Sequence, residues 1–386
     1  MDNFLFYAPT KMLFGKGQIK NLGSETVFYG KRVLLAYGGG SIKKNGVYDE
    51  TLKQLEGFEV TELSGIEPNP RIESVREGVR LCRENNIDVI VAVGGGSAID
   101  CSKVIAAGAK YDGDPWDLVV SPKKIDGALP LIDVLTLAAT GTEMNGNAVI
   151  SDLSQNKKIG TFSYDVIPRV SICDPSYLFT LPPYQTAAGT ADIMSHVIED
   201  YFKTEAHADI QNSFAEGILR TCIQNCPVAL KEPDNYDARA NLMWASSMAL
   251  NGLCGSGKAG GWSCHPMEHQ LSAFYDITHG VGLAILTPRW MRHILSAETV
   301  GKFAAYAVNV WGIPAEQDLF ALAQKGIAAT ERFFKDCSIP MTFGEVGITD
   351  RKHYEAMAED CARATAGAYV PLAKEDIIAI FEDCEK

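Results

Sequence analysis

The chain has 386 residues, of which 46% are hydrophobic and 22% are charged, and this composition is ordinary for a globular protein. A formal net charge of −13 argues against nucleic acid and anionic membranes as partners, because both favour Lys and Arg. The length exceeds the size at which a single hydrophobic core usually stops growing, so we expect two domains.

The ten cysteines are spread along the chain without a Cys-x-x-Cys pair, which is typical of reduced thiols in a cytoplasmic protein. The N-terminal sequence has no basic segment followed by an apolar run, and no apolar stretch approaches the roughly 18 residues of a membrane span. We therefore expect a cytoplasmic protein with no membrane partner.

Short apolar strands alternate with helical segments in the first half of the chain. The predicted strands are residues 32–37, 58–63, 87–93 and 129–136, and the predicted helices between them include 72–85 and 97–109. Strand, helix, strand is the pattern of a parallel sheet that is covered by helices on both faces. The first half is therefore predicted to be an α/β domain.

The pattern changes around residues 174–183, where Pro182 and Pro183 end any strand. The sequence that follows is long, rich in alanine and helically periodic, so we predict helices almost exclusively from there on. The predicted domains are 1–180 and 181–386, the first α/β and the second all-helical.

A glycine run at residues 94–96 follows an apolar strand and opens a helix. The amide groups of a helix N-terminus can bind a phosphate there, glycine lets the backbone come close to it, and Ser97 adds a hydroxyl. The run is not the G-x-G-x-x-G fingerprint, and tight strand-to-helix turns use the same residues for backbone reasons alone. Phosphate binding and a plain turn both remain open from the motif itself.

A second glycine run, which includes Gly38 and Gly39 and leads into Ser41, also ends a strand. Rossmann-type folds that prefer NAD place an acidic residue here to hold the ribose 2′-hydroxyl. This chain has glycine instead, with Lys43 and Lys44 just beyond. No carboxylate would repel a 2′-phosphate, so the sequence favours NADP(H) over NAD(H), although the two lysines are also consistent with an ordinary solvated face.

A third strand end, residues 136–145, is rich in small and hydroxyl-bearing residues, and Lys158 follows after a short polar stretch. Hydroxyls, an amide and an ammonium group are what ribose and phosphate oxygens require. A hairpin of polar turns would explain the same residues.

Two segments of the second half carry a histidine cluster. Asp192 and His196 are four residues apart and share one face of a predicted helix, while His265 and His279 lie in a second segment. A single cation could be bound by all four side chains. Nitrogen and oxygen ligands without a thiolate suit Fe(II), Zn or Mn.

The same region allows two other hypotheses. The segment His265-Pro-Met-Glu-His269 matches the H-x-x-E-H pattern of zinc metalloproteases, in which Glu268 would activate water. Pro266, however, favours a helix start there, and a protease leaves the α/β half without a purpose. A structural or regulatory metal-binding module without turnover would not need the glycine runs either.

Taken together, these motifs resemble those of the iron-containing (group III) alcohol dehydrogenases, in particular the butanol dehydrogenase-like branch. The resemblance extends over nearly the whole chain, and its most specific segments are 94–100, 136–143 and 276–280. It implies a dinucleotide-binding α/β domain and an all-α metal-binding domain, the dehydroquinate synthase-like fold. It also implies a metal-dependent oxidoreductase that interconverts alcohols and aldehydes with NAD(P)(H); a glycerol dehydrogenase-like polyol oxidoreductase is the alternative within this fold.

The resemblance also implies roles for individual residues. The metal ligands would be Asp192, His196, His265 and His279, and His269 would face the nicotinamide and the substrate. With the second glycine run, the expected cofactor-binding residues are Gly38, Gly39, Ser41, Asn69, Gly95, Gly96, Ser97, Asp100, Thr136, Thr140, Asn145 and Lys158. Many members of the family have Asp at the position of Gly38 or Gly39, so its absence again favours NADP(H).

The extreme N-terminus, residues 4–14, is rich in aromatic and apolar side chains. An uncovered strand of this kind would be an aggregation hazard. The resemblance implies that the segment pairs with its counterpart in a second copy, so we expect a homodimer.

Overall fold

The computed structural model describes residues 1–205 and 207–386. These residues form two compact units. The sheet unit consists of Tyr7–Leu181 and Pro233–Ser247, and the helical unit consists of Met1–Phe6, Pro182–Glu232 and Met248–Lys386. The chain thus leaves the sheet unit after Leu181, next to the predicted boundary at residue 180, and returns to it for one short segment.

The strands of the described residues are numbered in chain order. They are β1 (Lys11–Phe14), β2 (Arg32–Tyr37), β3 (Glu59–Leu63), β4 (Val89–Gly94), β5 (Leu131–Leu135), β6 (Asn147–Asp152), β7 (Lys157–Phe162) and β8 (Val170–Cys173). Six of them form one parallel sheet in the order β1-β8-β5-β4-β2-β3, and β6 and β7 form an antiparallel hairpin. The four predicted strands are present, whereas β6, β7 and β8 were not predicted. Of the N-terminal segment 4–14, which was expected to pair with a second copy, residues 11–14 form β1 and pair with β8 of the same chain.

The helices of the described residues are likewise numbered in chain order. They are α1 (Leu22–Thr26), α2 (Ser41–Lys44), α3 (Val47–Gln54), α4 (Ile72–Glu84), α5 (Gly96–Gly108), α6 (Trp116–Val120), α7 (Pro183–Tyr201), α8 (Asp209–Lys231), α9 (Tyr236–Ala249), α10 (Cys264–Tyr275), α11 (His279–Ile294), α12 (Val300–Asn309), α13 (Leu319–Asp336), α14 (Tyr354–Thr365) and α15 (Lys374–Asp383). The predicted fold class, a parallel-sheet domain followed by a helical one, is confirmed.

Both faces of the parallel sheet are buried. Along β2, Val33 and Leu35 belong to a core that includes residues of α1 and α3, while Leu34 and Ala36 belong to a core that includes residues of α4 and α5. A strand with a core on each side favours a continuous apolar run, and this explains why residues 33–37 of β2 and all of β4 are apolar instead of alternating.

The order of the strands places the glycine runs at one edge of the sheet. From β2 the chain moves outward to β3, and from β4 it moves in the opposite direction to β5 and then β8. The direction therefore reverses between the neighbouring strands β2 and β4. In open α/β sheets, ligands bind beyond the carboxyl ends of the strands at such a reversal. The loops after β2, β4 and β5 all leave the sheet at this edge.

The helical unit is built around α7, whose residues 186–201 are all buried. This helix packs against α8 and α11, and α10 packs against α11 and α14. A helix that is buried all round has no polar face to show, so its few ionisable side chains must have partners or a function. None of the helices in the described parts of the chain is both long and apolar enough to cross a membrane.

Candidate metal centre and dinucleotide site

Helix α7 presents Asp192, His196 and Glu199 at spacings of four and three residues, which place them on one face of the helix. The Asp192 and His196 side chains are only 3% and 5% exposed. Asp192 Oδ1 lies 3.5 Å from His196 Nδ1. A carboxylate and an imidazole at i and i+4 therefore meet inside the helical unit.

The other two predicted ligands approach the same oxygen from two further helices. His265 lies in the first turn of α10, and its Nε2 is 3.8 Å from Asp192 Oδ1. His279 is the first residue of α11, and its Nε2 is 3.6 Å from the same atom. Ligand atoms of Asp192, His265 and His279 all lie within 4.8 Å of one another. The structure thus brings the four predicted residues together around one carboxylate oxygen.

Gly280 explains how α11 reaches this position. A Cβ atom at Gly280 would lie 2.0 Å from the backbone oxygen of Ala188, one helical turn before Asp192 on α7. Only glycine allows the two helices to come this close. The contact sets His279 opposite Asp192.

Three atoms of this cluster have no hydrogen-bond partner within the described residues, although they are buried. They are Asp192 Oδ1, His196 Nδ1 and His265 Nε2. A buried polar atom without a partner costs about 1–3 kcal/mol, so their convergence requires an explanation. One carboxylate oxygen and three imidazole nitrogens are a suitable ligand set for Fe(II), Zn or Mn, so the residues present fit a divalent cation.

The electrostatics of the cluster favour the coordinating forms of Asp192 and His196 and the protonated form of His265. Burial alone would raise the pKa of Asp192, but the neighbouring imidazoles outweigh it and lower the pKa below its usual value. Burial lowers the pKa of His196 to about 3. Burial also acts to lower the pKa of His265, but interactions with Asp192 and Glu199 raise it to about 9. An ionised carboxylate and a neutral imidazole are the forms that bind a metal ion, and bound metal competes with the proton on His265.

Glu268, the general base of the protease hypothesis, has other partners. Its carboxylate is fully buried, accepts a hydrogen bond from the Ser272 hydroxyl and pairs with Nδ1 of His279. The rings of His265 and His269 are 6.4 Å apart. Ligand atoms of His265 lie close to those of Asp192 and His279, whereas those of His269 lie close to Glu268 and His279, so the two histidines of the pattern do not fall in one group. This geometry does not favour an H-x-x-E-H protease site.

His269 lies one helical turn after His265 and is partly exposed. Its ring centroid is 5.7 Å from that of His279. The structure thus places an accessible imidazole beside the cluster, while its role toward nicotinamide and substrate stays a prediction.

Trp262 covers the other side of the cluster. Its ring lies 4.6 Å from the His265 ring and 5.6 Å from the His196 ring, between centroids. Its indole N–H donates to Asp200 Oδ1 at 2.9 Å, which fixes the ring over the two imidazoles. The sequence places Trp262 beside the histidines, and this position allows an apolar wall of the substrate pocket as well as an ordinary core residue.

In the sheet unit, the loops after β4 and β5 pack tightly on each other. A Cβ at Gly95 would lie 2.9 Å from Leu137 Cβ, and a Cβ at Gly96 would lie 2.7 Å from the Thr140 hydroxyl oxygen. The glycines are therefore required by packing. Ser97, in the first turn of α5, is partly exposed. Phosphate binding by this helix start stays a prediction.

Asp100 points into the sheet unit. Its Oδ1 accepts a hydrogen bond from the Thr142 hydroxyl at 2.5 Å, and its Oδ2 accepts from the backbone N–H of Val149 at 2.9 Å. Asp100 was predicted to bind the cofactor. These bonds show it holding the loop after β5 in place from beneath, and a direct contact with the cofactor is not required to explain it.

Asn145 has a similar position. Its amide donates to the backbone oxygen of Gly141 at 2.8 Å, and its oxygen accepts from Lys103 Nζ at 3.2 Å and from the backbone N–H of Asn147 at 2.9 Å. Its predicted contact with the cofactor stays a prediction.

Lys103 was not singled out from the sequence. It is fully buried, and its ammonium group also donates to the Thr142 hydroxyl at 2.6 Å and to the Asn147 backbone oxygen at 2.7 Å. Burial lowers the pKa of Lys103 to about 8. The only sequence signal is its position three residues after Asp100, on the same face of α5.

The second glycine run is open at its tip. Gly39 is exposed, and a Cβ there would meet no atom within 4 Å. Ser41 begins α2, and Lys43 lies over the rings of Tyr37 and Tyr48, with Nζ 5.1 Å and 4.5 Å from the two centroids. Lys43 is thus partly committed to aromatic contacts.

Three other predicted cofactor residues lie around the same edge of the sheet or on the hairpin. Asn69 has a left-handed backbone with φ 53°. The Thr136 N–H donates to the Gly94 backbone oxygen at 2.9 Å, directly at the ends of β5 and β4. Lys158 is buried on β7, opposite Ser151 of β6.

Comparison with known proteins agrees with this arrangement. The family model described as iron-containing alcohol dehydrogenase matches residues 9–175, and the C-terminal model of the Fe-containing alcohol dehydrogenase family matches residues 186–384. The NADH-dependent butanol dehydrogenase A of Clostridium acetobutylicum is 53% identical over 387 residues, which cover 99% of each chain. The NADPH-dependent aldehyde reductase YqhD of Escherichia coli is 43% identical over 351 residues, 90% of each chain.

Solved structures show the same relationship. The NADH-dependent butanol dehydrogenase A of Thermotoga maritima superposes with a TM-score of 0.95 at 40% identity, covering 100% of this chain and 99% of the other. Matches of this extent at this identity establish the family. The chain belongs to the iron-containing alcohol dehydrogenase family, in its butanol dehydrogenase-like branch.

Proposed function

We propose that this protein interconverts small alcohols and aldehydes by exchanging hydride with a nicotinamide dinucleotide, at a metal centre held by Asp192, His196, His265 and His279. The observation that carries the proposal is the convergence of three buried atoms that lack hydrogen-bond partners within the described residues, in a carboxylate–imidazole cluster. The relatives named as butanol dehydrogenase and aldehyde reductase support the same reaction class.

When bound, a divalent metal supplies Lewis-acid stabilisation of negative charge on the substrate oxygen, and the nicotinamide supplies the hydride. The chain orients and encloses these groups. His279 is the most exposed of the four proposed ligands, with 22% of its side chain accessible, so we assign substrate entry to its side of the cluster. Trp262 shields the imidazoles of His265 and His196 from water on another side.

His269 is the proposed proton carrier. Aldehyde reduction needs a proton on the product oxygen, and an imidazole is suited to supply it near neutral pH. His269 is partly exposed and adjacent to the His279 ring, so it can exchange protons with water.

We assign Fe(II) as the metal, because the family is described as iron-containing, while Zn and Mn can use the same ligands. We assign NADP(H) as the favoured cofactor, because Gly39 leaves its side of the loop open and uncharged. Of the relatives named above, two are NADH-dependent and one is NADPH-dependent, so their names do not decide this preference.

We further propose a cytoplasmic homodimer. All ten cysteines are buried free thiols, as expected in a reducing compartment. Phe4, Leu5, Phe6 and Tyr7 are each about half exposed or more, at 50%, 69%, 47% and 50%, so the N-terminal segment requires a covering partner. Light scattering should give a mass of about twice 41.9 kDa; a mass of one chain at all concentrations would contradict the dimer.

The test of the function combines elemental analysis of the purified protein with oxidation of NADH and NADPH in the presence of a panel of aldehydes. We expect about one divalent metal ion per chain and turnover that is lost on chelation and restored by Fe(II) or Zn(II). Full turnover in metal-free protein, or peptide cleavage without nicotinamide oxidation, would contradict the proposal.

A further inference from the structure

Two buried glutamates contact the outward nitrogens of the candidate metal ligands. Glu199 Oε2 lies 2.5 Å from Nδ1 of His265, and Glu268 Oε2 pairs with Nδ1 of His279. In each imidazole the nitrogen that faces Asp192 is the other one, Nε2. Each glutamate therefore holds the ring by the edge that points away from the cluster.

We infer that Glu199 and Glu268 are positioning residues that hold His265 and His279 in the tautomer and ring orientation needed to bind the metal. This inference rests on the proposed metal centre. A neutral imidazole carries one proton, and a carboxylate that accepts it at Nδ1 leaves Nε2 free to donate its lone pair to a cation. The negative charge of the partner also makes the imidazole a stronger ligand.

The two glutamates are themselves held in place. Glu199 Oε1 accepts the backbone N–H of Cys264 at 2.7 Å and that of Ser263, and Oε2 accepts the N–H of His265 at 3.0 Å. It therefore anchors the start of α10 to α7, because these amide groups have no partner within their own helix. Glu268 Oε1 accepts the Ser272 hydroxyl one turn further along α10.

The two glutamate–imidazole pairs connect helices α7, α10 and α11 in chain order. Helix α7 carries two proposed ligands and also Glu199, which orients the ligand of α10. Helix α10 carries that ligand, His265, and also Glu268, which orients His279 of α11. Helix α7 thus sets the position of the His265 imidazole, and helix α10 sets that of the His279 imidazole. These two ligands are ordered by the protein and not by the metal alone.

The test measures metal affinity directly, independently of turnover. Zinc-loaded full-length protein is titrated with a chromogenic chelator to give the dissociation constant, and cobalt-substituted protein gives the visible absorption bands that report the ligand geometry. We expect Glu268→Ala to weaken zinc binding by about 10–100-fold and to alter the cobalt bands. Glu268→Gln keeps an acceptor oxygen but no charge, so its affinity should fall between that of the wild type and that of Glu268→Ala.

Asp376→Asn is the matched control, because Asp376 is a carboxylate of the helical unit whose Oδ1 lies 3.0 Å from Nε2 of His293, a histidine outside the proposed ligand set. It should keep the wild-type dissociation constant for zinc. A purely structural role of Glu268 would lower the free energy of unfolding while leaving zinc affinity and the cobalt spectrum unchanged, and that result would overturn the inference.

Glu199→Gln should weaken zinc binding as well, but it also disturbs the start of α10 and can impair folding. The Glu268 variants alone therefore decide whether the glutamates position the ligands.

The proposed function and the positioning role fail with different results. If the wild-type protein binds no zinc or iron, the proposed function fails; if the wild type binds metal and Glu268→Ala binds it equally well, only the positioning role fails.

Discussion

The two units bury charged clusters of similar size, but they neutralise them in different ways. In the sheet unit, the buried ammonium of Lys103 lies among the side chains and backbone of the loop after β5 and donates to three protein oxygens. In the helical unit, the cluster around Asp192 ends in atoms that lack hydrogen-bond partners within the part of the chain described. The sheet unit carries its cation as a lysine side chain, and the helical unit is proposed to bind a metal ion.

The pKa values of the buried carboxyl groups also differ between the two units. Burial raises the pKa of Asp133 and Glu143, which lie in the core of the sheet unit and bind the hydroxyls of Ser171 and Ser247. Asp192 is equally buried, yet its imidazole neighbours outweigh burial and lower its pKa. Lys103 also acts to lower the pKa of Asp133 and Glu143, but there burial is the larger effect. Of these three buried carboxyl groups, only Asp192 has neighbours that outweigh burial, and this distinguishes the candidate metal centre from the buried carboxyl groups of the sheet unit.

Removal of a proposed ligand from the cluster around Asp192 should have the largest effect, a loss of activity. His265→Ala removes one ligand from the metal, and we expect the rate of aldehyde reduction to fall by at least about 10³-fold, because Lewis-acid stabilisation contributes several kcal/mol. Fluorescence titration should show NADPH binding largely retained, since the predicted cofactor residues belong to the sheet unit. His293→Ala, an exposed histidine of α11 that pairs with Asp376, should leave the rate unchanged. Near-normal turnover in His265→Ala would remove the metal centre from the mechanism.

Removal of the buried ammonium group of Lys103 from the sheet unit should instead lower the free energy of unfolding. Lys103→Met leaves three protein oxygens without the ammonium group that donates to them, and a buried polar group that loses its partner costs about 1–3 kcal/mol. Urea unfolding measures this loss. Lys53→Met, at an exposed position of α3, should change the free energy of unfolding by no more than about 0.5 kcal/mol. A loss of less than about 1 kcal/mol in Lys103→Met would show that this cluster does not depend on its lysine.

A substitution in the second glycine run tests whether the sheet unit alone determines the preference between NADPH and NADH. Gly39 has no left-handed backbone angle and open space around its Cβ position, so Gly39→Asp introduces a carboxylate without strain. A like charge about 4 Å from a 2′-phosphate costs about 1–4 kcal/mol, so NADPH binding should weaken relative to NADH. Gly39→Asn is the uncharged control. Equal discrimination by both variants, or a strong NADH preference of the wild type, would contradict the electrostatic argument.

The pH dependence of stability should report the buried lysine. Because the pKa of Lys103 is lowered from 10.5 to about 8 in the folded protein, the unfolded state binds more protons between these values. Stability must then rise with pH in that window, by up to about 1.4 kcal/mol per pH unit for one group. The difference in unfolding free energy between wild type and Lys103→Met should therefore grow by about 1 kcal/mol from pH about 7.5 to pH about 9. A difference that shrinks with pH would show that the lysine is stabilised in its charged form.

The amino-acid sequence alone was sufficient to predict the fold class and the proposed ligands. Apolar runs that alternate with helical periodicity predict a parallel sheet, because strands with a core on both faces are apolar over most of their length. The spacing of Asp192 and His196 predicts a shared helix face, and the histidine-rich segment supplies the two other imidazoles. These are local patterns, so they can be recognised without knowledge of the packing.

Only the tertiary structure decided which residues act together. Strands β1 and β8 are four residues long and pair in parallel across more than 150 residues of sequence, and no local signal indicates such a pairing. In the same way, nothing near Glu199 shows that it will meet His265, and nothing near Asp100 or Asn145 shows that their polar atoms will support a loop from within. Gly280 is an ordinary glycine in the sequence and becomes indispensable only where α11 approaches Ala188. Contacts between distant segments depend on how helices and strands pack, and that information is distributed over the whole chain.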